Sequence, residues 1–351
     1  MLTQAQKDCQ LSLESCDSCL ILKSIRSGKT YCILDYATNK KYKNILWVVP
    51  FTDNITGVQD EMKKWKIKLS HIEIICYASL KKYKEKSYDL VVLDEYQRIT
   101  LPYYEVLKTM TYNKLIAMTG TLPTSYIKRD ITANLNLNLV FKYTVKDAVR
   151  DENVAPYEIN IITKELDKSR IIPVQYVDKK TKETKSFLTS EFHNYNSLIK
   201  RIDLSFDSRK RMLMFNMLRF INTLPSTISF IKNYIYANKS KRFLIFVASQ
   251  QMAEQCSEYC YYGGKSDKYF KLFQEGKINH LVLVEKATVG VTYENLDQVL
   301  LTNINSSEAS VQQKIFRAIL FRPNYTAKID ILINKHTIQE KWIENSIRNI
   351  I

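Results

Sequence analysis

This sequence predicts two α/β domains in tandem, each built on a parallel sheet, with a short β-containing stretch between them. Three observations carry the prediction. Short apolar runs alternate with amphipathic stretches through residues 1–145 and again through 206–351, the pattern of buried parallel strands with covering helices. A chain of 351 residues exceeds what one hydrophobic core accommodates, so two cores are expected. Finally, the apolar run Leu90-Val91-Val92-Leu93 ends in two adjacent carboxylates, Asp94 and Glu95. Charge then stands at a strand end, where open α/β sheets bind their ligands.

Within 1–145 the runs at 19–25, 45–50, 72–77, 90–93 and 114–118 read as strands, and 31–37 as the helix after the first of them. Between 146 and 205 the pattern breaks into short β-like pieces around the charged turn Asp178-Lys179-Lys180-Thr181-Lys182-Glu183-Thr184-Lys185. That segment reads as a connecting region with a β excursion. From Ser208 a helical pattern sets Arg209, Lys210, Arg211 and Arg219 around Met212, Phe215, Met217 and Leu218; its Met and Phe stripe reads as core. Runs at 243–247, 281–284, 299–301 and 329–333 restore the strand pattern, and no internal repeat is present.

Composition narrows the class. An apolar content of 45% excludes general disorder. With 52 Lys and Arg against 36 Asp and Glu the net charge is +16 and the pI about 9.3, the footprint of a protein that meets polyphosphate. Nucleic acid, a membrane surface and a solvated lysine-rich face share that footprint. No run of about eighteen apolar residues and no signal-peptide layout occur, so a soluble intracellular protein without a membrane partner is expected. Seven cysteines, an odd number, argue for reduced, buried thiols. Cys16 and Cys19 have zinc spacing, but no second pair completes a four-ligand set. Scarce Gly (7) beside abundant Tyr (23) points to an AT-rich genome such as that of a virus or phage.

The segment Lys23-Ser24-Ile25-Arg26-Ser27-Gly28-Lys29-Thr30, between the first strand and its helix, fits the end of a phosphate-binding loop. Gly28 lets backbone N–H groups approach phosphate, Lys29 can reach the β- and γ-phosphates, and the Thr30 hydroxyl can ligate Mg²⁺. Two positions depart from the general pattern: Lys23 replaces its first glycine, and Arg26 a small residue. About 65 residues downstream, Asp94 suits a Mg²⁺ site and Glu95 a hydrolytic water. A strand followed by an acidic helix cap would carry the same two residues.

Taken in order, Gly28-Lys29-Thr30, Asp94-Glu95-Tyr96-Gln97, Thr119-Gly120-Thr121 and Gln313-Lys314-Ile315-Phe316-Arg317 resemble motifs I, II, III and VI of superfamily 2 helicases and translocases. The resemblance runs from Gln6 to about residue 333. Met118-Thr119-Gly120-Thr121-Leu122-Pro123 and Lys286-Ala287-Thr288-Val289-Gly290-Val291 are most similar to Swi/Snf-type translocases and to related phage and archaeal DExH helicases; DEAD-box RNA helicases are less similar. The resemblance implies two RecA-like P-loop NTPase domains, with motifs I–III in 1–145 and motifs IV–VI in 206–351. It also implies ATP and Mg²⁺ at their junction.

Residue by residue, the resemblance implies that Gln6 contacts adenine and that Arg26, Ser27, Gly28, Lys29 and Thr30 cradle the nucleotide. Asp94 would hold Mg²⁺, Glu95 would activate water and Gln97 would sense the γ-phosphate. Thr119, Thr121 and Gln313 would couple hydrolysis to domain movement, with Arg317 as an arginine finger. The pattern is broken at Phe316, where a glycine is usual, and at Leu320, where a second arginine is usual; Arg322 follows two residues later. Pro50, Phe51, Thr52, Ser79, Ser249 and Thr288 match loops that meet a sugar-phosphate backbone. Two basic runs, Lys63, Lys64, Lys66 and Lys68, then Lys81, Lys82, Lys84 and Lys86, lie beside these loops. The implied activity is ATP-driven movement on nucleic acid, DNA in preference to RNA, with a protein partner left to supply specificity. Two other readings stay open. One is a nucleic-acid-binding scaffold without turnover, and the other a P-loop kinase, in which the second domain has no role.

Overall fold

The computed structural model describes residues 2–24, 27–123, 125–177, 183–284, 295–316, 324–348 and 350. Six strands form the first sheet: β1 (Ser18–Lys23), β2 (Asn44–Val49), β3 (His71–Cys76), β4 (Ser87–Leu93), β5 (Thr111–Thr119) and β6 (Asn138–Tyr143). All pair in parallel, in the order β3-β2-β4-β5-β1-β6. Their apolar runs are continuous because helices cover both faces. Leu46, Val48, Val91, Leu93, Leu115 and Ala117 pack on one face, and Ile45, Trp47, Val49, Leu90, Val92, Ile116 and Met118 on the other. That division is the two-residue strand period, and each large side chain so buried stabilises the fold by roughly 1.5–3 kcal/mol.

The second sheet takes in β7 (Tyr157–Lys164); then comes an antiparallel hairpin of its own, β8 (Ile172–Val177) with β9 (Thr184–Thr189). The remaining strands are β10 (Phe243–Val247), β11 (Cys260–Tyr261), β12 (His280–Val284), β13 (Gln298–Leu301) and β14 (Ala327–Asn334). The order is β11-β12-β10-β13-β14-β7, again all parallel. Strand β7 lies in the stretch that sequence reading treats as a connection. It pairs along its whole length with β14, from Tyr157 opposite Ala327 to Lys164 opposite Asn334. An edge strand has one wet face, so Glu158 and Asn160 interrupt its apolar run and hide the strand signal. In the first sheet the outer strand β6 is interrupted in the same way, by the exposed Asn138 and Lys142.

Two helices, Glu191–Asp203 and Asp207–Ile221, pack side by side outside the sheets. Leu213, Met217 and Ile221, four residues apart, bury against Tyr195, Leu198 and Ile202. This corrects the expectation that the Met and Phe stripe is core. Met217 is buried, whereas Met212 is 56% and Phe215 66% exposed. The core stripe runs through 213, 217 and 221, and Phe215 falls about 200° away from Leu213 by the 3.6-residue period. The buried carboxylate of Glu191 fixes the following helix, Pro225–Ala237. It accepts from Ser226 N at 2.8 Å, Ser226 Oγ at 2.6 Å and Asp167 N at 3.0 Å. Among the described residues no helix is long and apolar enough to cross a membrane.

Candidate functional site

Because the first sheet is parallel, the ends of β1 to β5 open onto one edge, and the residues singled out by sequence gather there. Helix Lys29–Asn39 starts at that edge with Gly28 as its N-cap, at φ +70°. Glycine adopts this left-handed conformation without strain, and it supplies no side chain to cap the helix. The first N–H groups are therefore left for an outside acceptor, which favours an anion. Gln6 braces the loop from behind: its Nε2 donates to Gly28 O at 3.2 Å while its Oε1 accepts from Thr3 N at 2.9 Å. Both ends of the amide expected to meet adenine are engaged in this conformation. Ser27 Oγ donates to Ser24 O at 2.6 Å, and Thr30 is half-buried in the first helical turn. Lys23, at the usual glycine position, is fully buried with its Nζ 6.0 Å from the centre of the Tyr143 ring. Burial pushes its pKa down.

Lys29 Nζ is buried and has no hydrogen-bond partner among the described residues; the Glu95 carboxylate is its ion-pair partner at 3.7 Å. A buried ammonium short of hydrogen bonds beside an uncapped helix N-terminus fits a phosphate group. Strand β4 delivers the two carboxylates opposite. Asp94 is fixed through its backbone, its N–H donating to Val48 O at 2.8 Å and its carbonyl accepting from Tyr77 Oη at 3.1 Å. Glu95 sits at φ +50° and donates its N–H to Asp94 Oδ1 at 2.9 Å. Burial, reinforced by the Glu95 charge, lifts the Asp94 carboxyl to about 7, against the opposing pull of Lys29 and the Glu95 N–H. A hard divalent cation would supply the missing countercharge, so Asp94 and the Thr30 hydroxyl fit Mg²⁺.

From Glu95 a polar chain reaches the second domain. Its Oε2 accepts from Gln97 Nε2 and, at 3.3 Å, from Gln313 Nε2 on helix Glu308–Ile315. Gln97 Oε1 lies 2.5 Å from Thr119 Oγ1, which also lies 2.6 Å from Thr121 O; one hydroxyl proton serves one of these acceptors at a time. Thr121 Oγ1 donates to Gln312 Oε1 at 3.1 Å, and Gln312 Nε2 to Ser346 O at 2.9 Å. Gln313 is the residue expected to couple the domains, and its structural partner is Glu95. Gln312, which no sequence motif singles out, is the residue that meets Thr121. Neighbouring residues point about 100° apart on a helix, so one glutamine pair reaches two separate groups. Lys128, likewise outside every motif, donates to Gln97 O. It lines a cleft of about 490 Å³ together with Arg98, Thr121, Ser125 and Gln313.

Pro50, Phe51 and Thr52 follow the end of β2, and Ser79 lies in the turn Tyr77–Tyr83 after β3. Phe51 is 40% exposed and carries the Arg98 guanidinium 4.7 Å above its ring. Ser249 caps helix Gln250–Cys256, accepting from Met252 N at 3.2 Å, and stands in the wall of a second-domain cavity. Arg26, Thr288, Arg317 and Arg322 lie outside the described residues.

No family model matches the sequence, nor does any curated protein. Solved structures do match by shape. The helicase domain of Pyrococcus furiosus Hef superposes with a TM-score of 0.58 at 12% identity, covering 97% of each chain. An ATP-dependent type ISP restriction-modification enzyme, LlaBIII, bound to DNA, superposes with a TM-score of 0.65 at 11% identity. All of the present chain is covered in that comparison, but only 30% of the enzyme. At such identities the likeness speaks for the fold, which is that of tandem RecA-like domains as in superfamily 2 helicase cores.

Proposed function

We propose that this chain is a nucleic-acid-stimulated ATPase of the translocase or helicase type. One observation carries the reading: three parts of the molecule converge on the Glu95 carboxylate. Lys29 of the phosphate loop is 3.7 Å away, Gln97 comes from its own strand end, and Gln313 of the second domain is at 3.3 Å. A group placed there can do chemistry on a nucleotide and report it to the other domain.

When bound, Mg²⁺ and ATP supply the phosphoryl group and much of the neutralisation of its developing charge. The remaining tasks belong to the chain's own residues. Arg26, Ser27, Gly28 and Lys29 would hold the phosphate oxygens, Thr30 and Asp94 would hold the metal, and Gln6 stiffens the loop from behind. Glu95, kept in place by two glutamine amides, orients water and takes its proton. Arg317 and Arg322 are assigned to the second domain's side of the nucleotide. Exchange of the Glu95–Gln313 and Thr121–Gln312 bonds, with Thr119 and Gln97 between them, links the nucleotide state to the contact between domains. Pro50, Phe51, Thr52, Ser79, Ser249 and Thr288 serve as backbone contacts. The +16 charge and the DNA seen with the type ISP enzyme support DNA as partner, with a protein partner supplying specificity.

A second reading, a scaffold that binds nucleic acid without turnover, is favoured by Phe316, buried at the usual glycine position. ATP turnover measured at fixed salt with single-stranded, duplex and forked DNA and matching RNA separates the two. Stimulation by at least one of them supports the ATPase; binding without hydrolysis supports the scaffold; turnover indifferent to every nucleic acid removes the translocase reading.

A further inference from the structure

Helix Asp207–Ile221 presents a second stripe besides its core stripe. Phe215, Leu218, Arg219 and Asn222, at intervals of three and four, line a cavity of about 990 Å³. The opposite walls include Lys232 of helix Pro225–Ala237, Gln251 of helix Gln250–Cys256 and Asn305 beyond β13. Among the described residues, two cations and several amides and hydroxyls line this space, and no carboxylate does. Phe215 is 66% exposed at its rim, one helical turn from Arg219.

From this arrangement we propose that the groove is a binding site for single-stranded nucleic acid. Phe215 stacks on an unpaired base, Arg219 and Lys232 meet the flanking phosphates, and the amides of Gln251 and Asn305 meet sugar or base edges. A flat ring beside two cations at the mouth of this groove is the combination that single strands select. Bases offer a face for stacking and phosphates offer the charge. A duplex keeps its bases stacked on each other and leaves Phe215 uncovered. The assignment rests on the nucleic-acid reading above and adds to it a base-stacking wall supplied by a helix outside both sheets.

The test is binding of a labelled oligothymidylate and of a duplex by the intact chain, followed by fluorescence anisotropy over a salt series. Phe215→Ala should weaken single-strand binding about tenfold or more and leave duplex binding within about twofold, and Phe215→Trp should restore it. In Phe215→Trp, emission from the introduced indole should be quenched by the oligonucleotide above the background of the three native tryptophans. Arg219→Ala and Lys232→Ala should each flatten the salt dependence by about 0.7 in log–log slope. Three results would overturn the site: Phe215→Ala binding the single strand like wild type, equal losses on single strand and duplex, or self-association of the chain that Phe215→Ala abolishes. Wild-type protein that binds no nucleic acid at all removes the underlying reading as well, and so is distinguishable from failure of the site alone.

Discussion

Replacing Gly28 by alanine tests the phosphate loop in the most quantitative way. A Cβ at this position would stand 2.4 Å from Gln6 Nε2, closer than any contact real Cβ atoms make. The backbone is also left-handed, at φ +70°, which costs an alanine ~1–2 kcal/mol. Gln6 must swing away and give up its bond to Gly28 O, a further ~0.5–1.5 kcal/mol. Reduced freedom of the unfolded chain offsets ~0.4–1 kcal/mol. The net loss is about 2 kcal/mol, or roughly 4–8 °C in the unfolding midpoint of a domain this size. Thermal and urea unfolding of Gly28→Ala, Gln6→Ala and the double variant measure it. Because Gln6→Ala removes the clash, the double variant should lose less than the two single losses added together. Full additivity, or a Gly28→Ala loss below about 0.5 kcal/mol, would refute the packing of Gln6 behind the loop.

Two other predictions concern the carboxylates and the domain contact. Asp94 binds its proton more tightly folded than unfolded, its pKa being lifted to about 7. Stability in the absence of nucleotide and metal should therefore fall as pH rises from about 4 to about 7, by at most ~4 kcal/mol. Asp94→Asn should flatten that profile in urea titrations, and an unchanged profile would contradict the burial of the group. Thr121→Val removes the hydroxyl that reaches Gln312 at 3.1 Å. Basal ATP turnover should stay within about twofold while nucleic-acid stimulation falls about fivefold, the equivalent of one ~1 kcal/mol hydrogen bond; steady-state kinetics with and without DNA read the two separately.

The central strands are legible in the sequence because both of their faces are buried. The runs at 45–50 and 90–93 belong to β2 and β4, and their apolar residues divide between two cores. The outer strands β6 and β7 are not, since a wet face breaks the run. The phosphate loop and the acidic pair are readable because charge interrupts apolar strands at fixed points. What sequence order does not show is which side chains meet across the domains. Gln312 and Gln313 are equal in type, and only the helix azimuth decides that one meets Thr121 and the other Glu95. Spacing also leaves Phe215 ambiguous: an aromatic within a helical pattern reads as core until the competing stripe of Leu213, Met217 and Ile221 is seen to occupy the interior.

The central claim is that Glu95 does the chemistry of a nucleic-acid-driven ATPase, and the direct measurement is phosphate release from ATP at saturating nucleic acid by wild type and by Glu95→Gln. The amide keeps the shape of the side chain and can stay within the Gln97 and Gln313 contacts, but it cannot take a proton. The account predicts a fall of about 10²–10⁴-fold in turnover, with binding of a fluorescent nucleotide retained. Turnover in Glu95→Gln within a few-fold of wild type would contradict it.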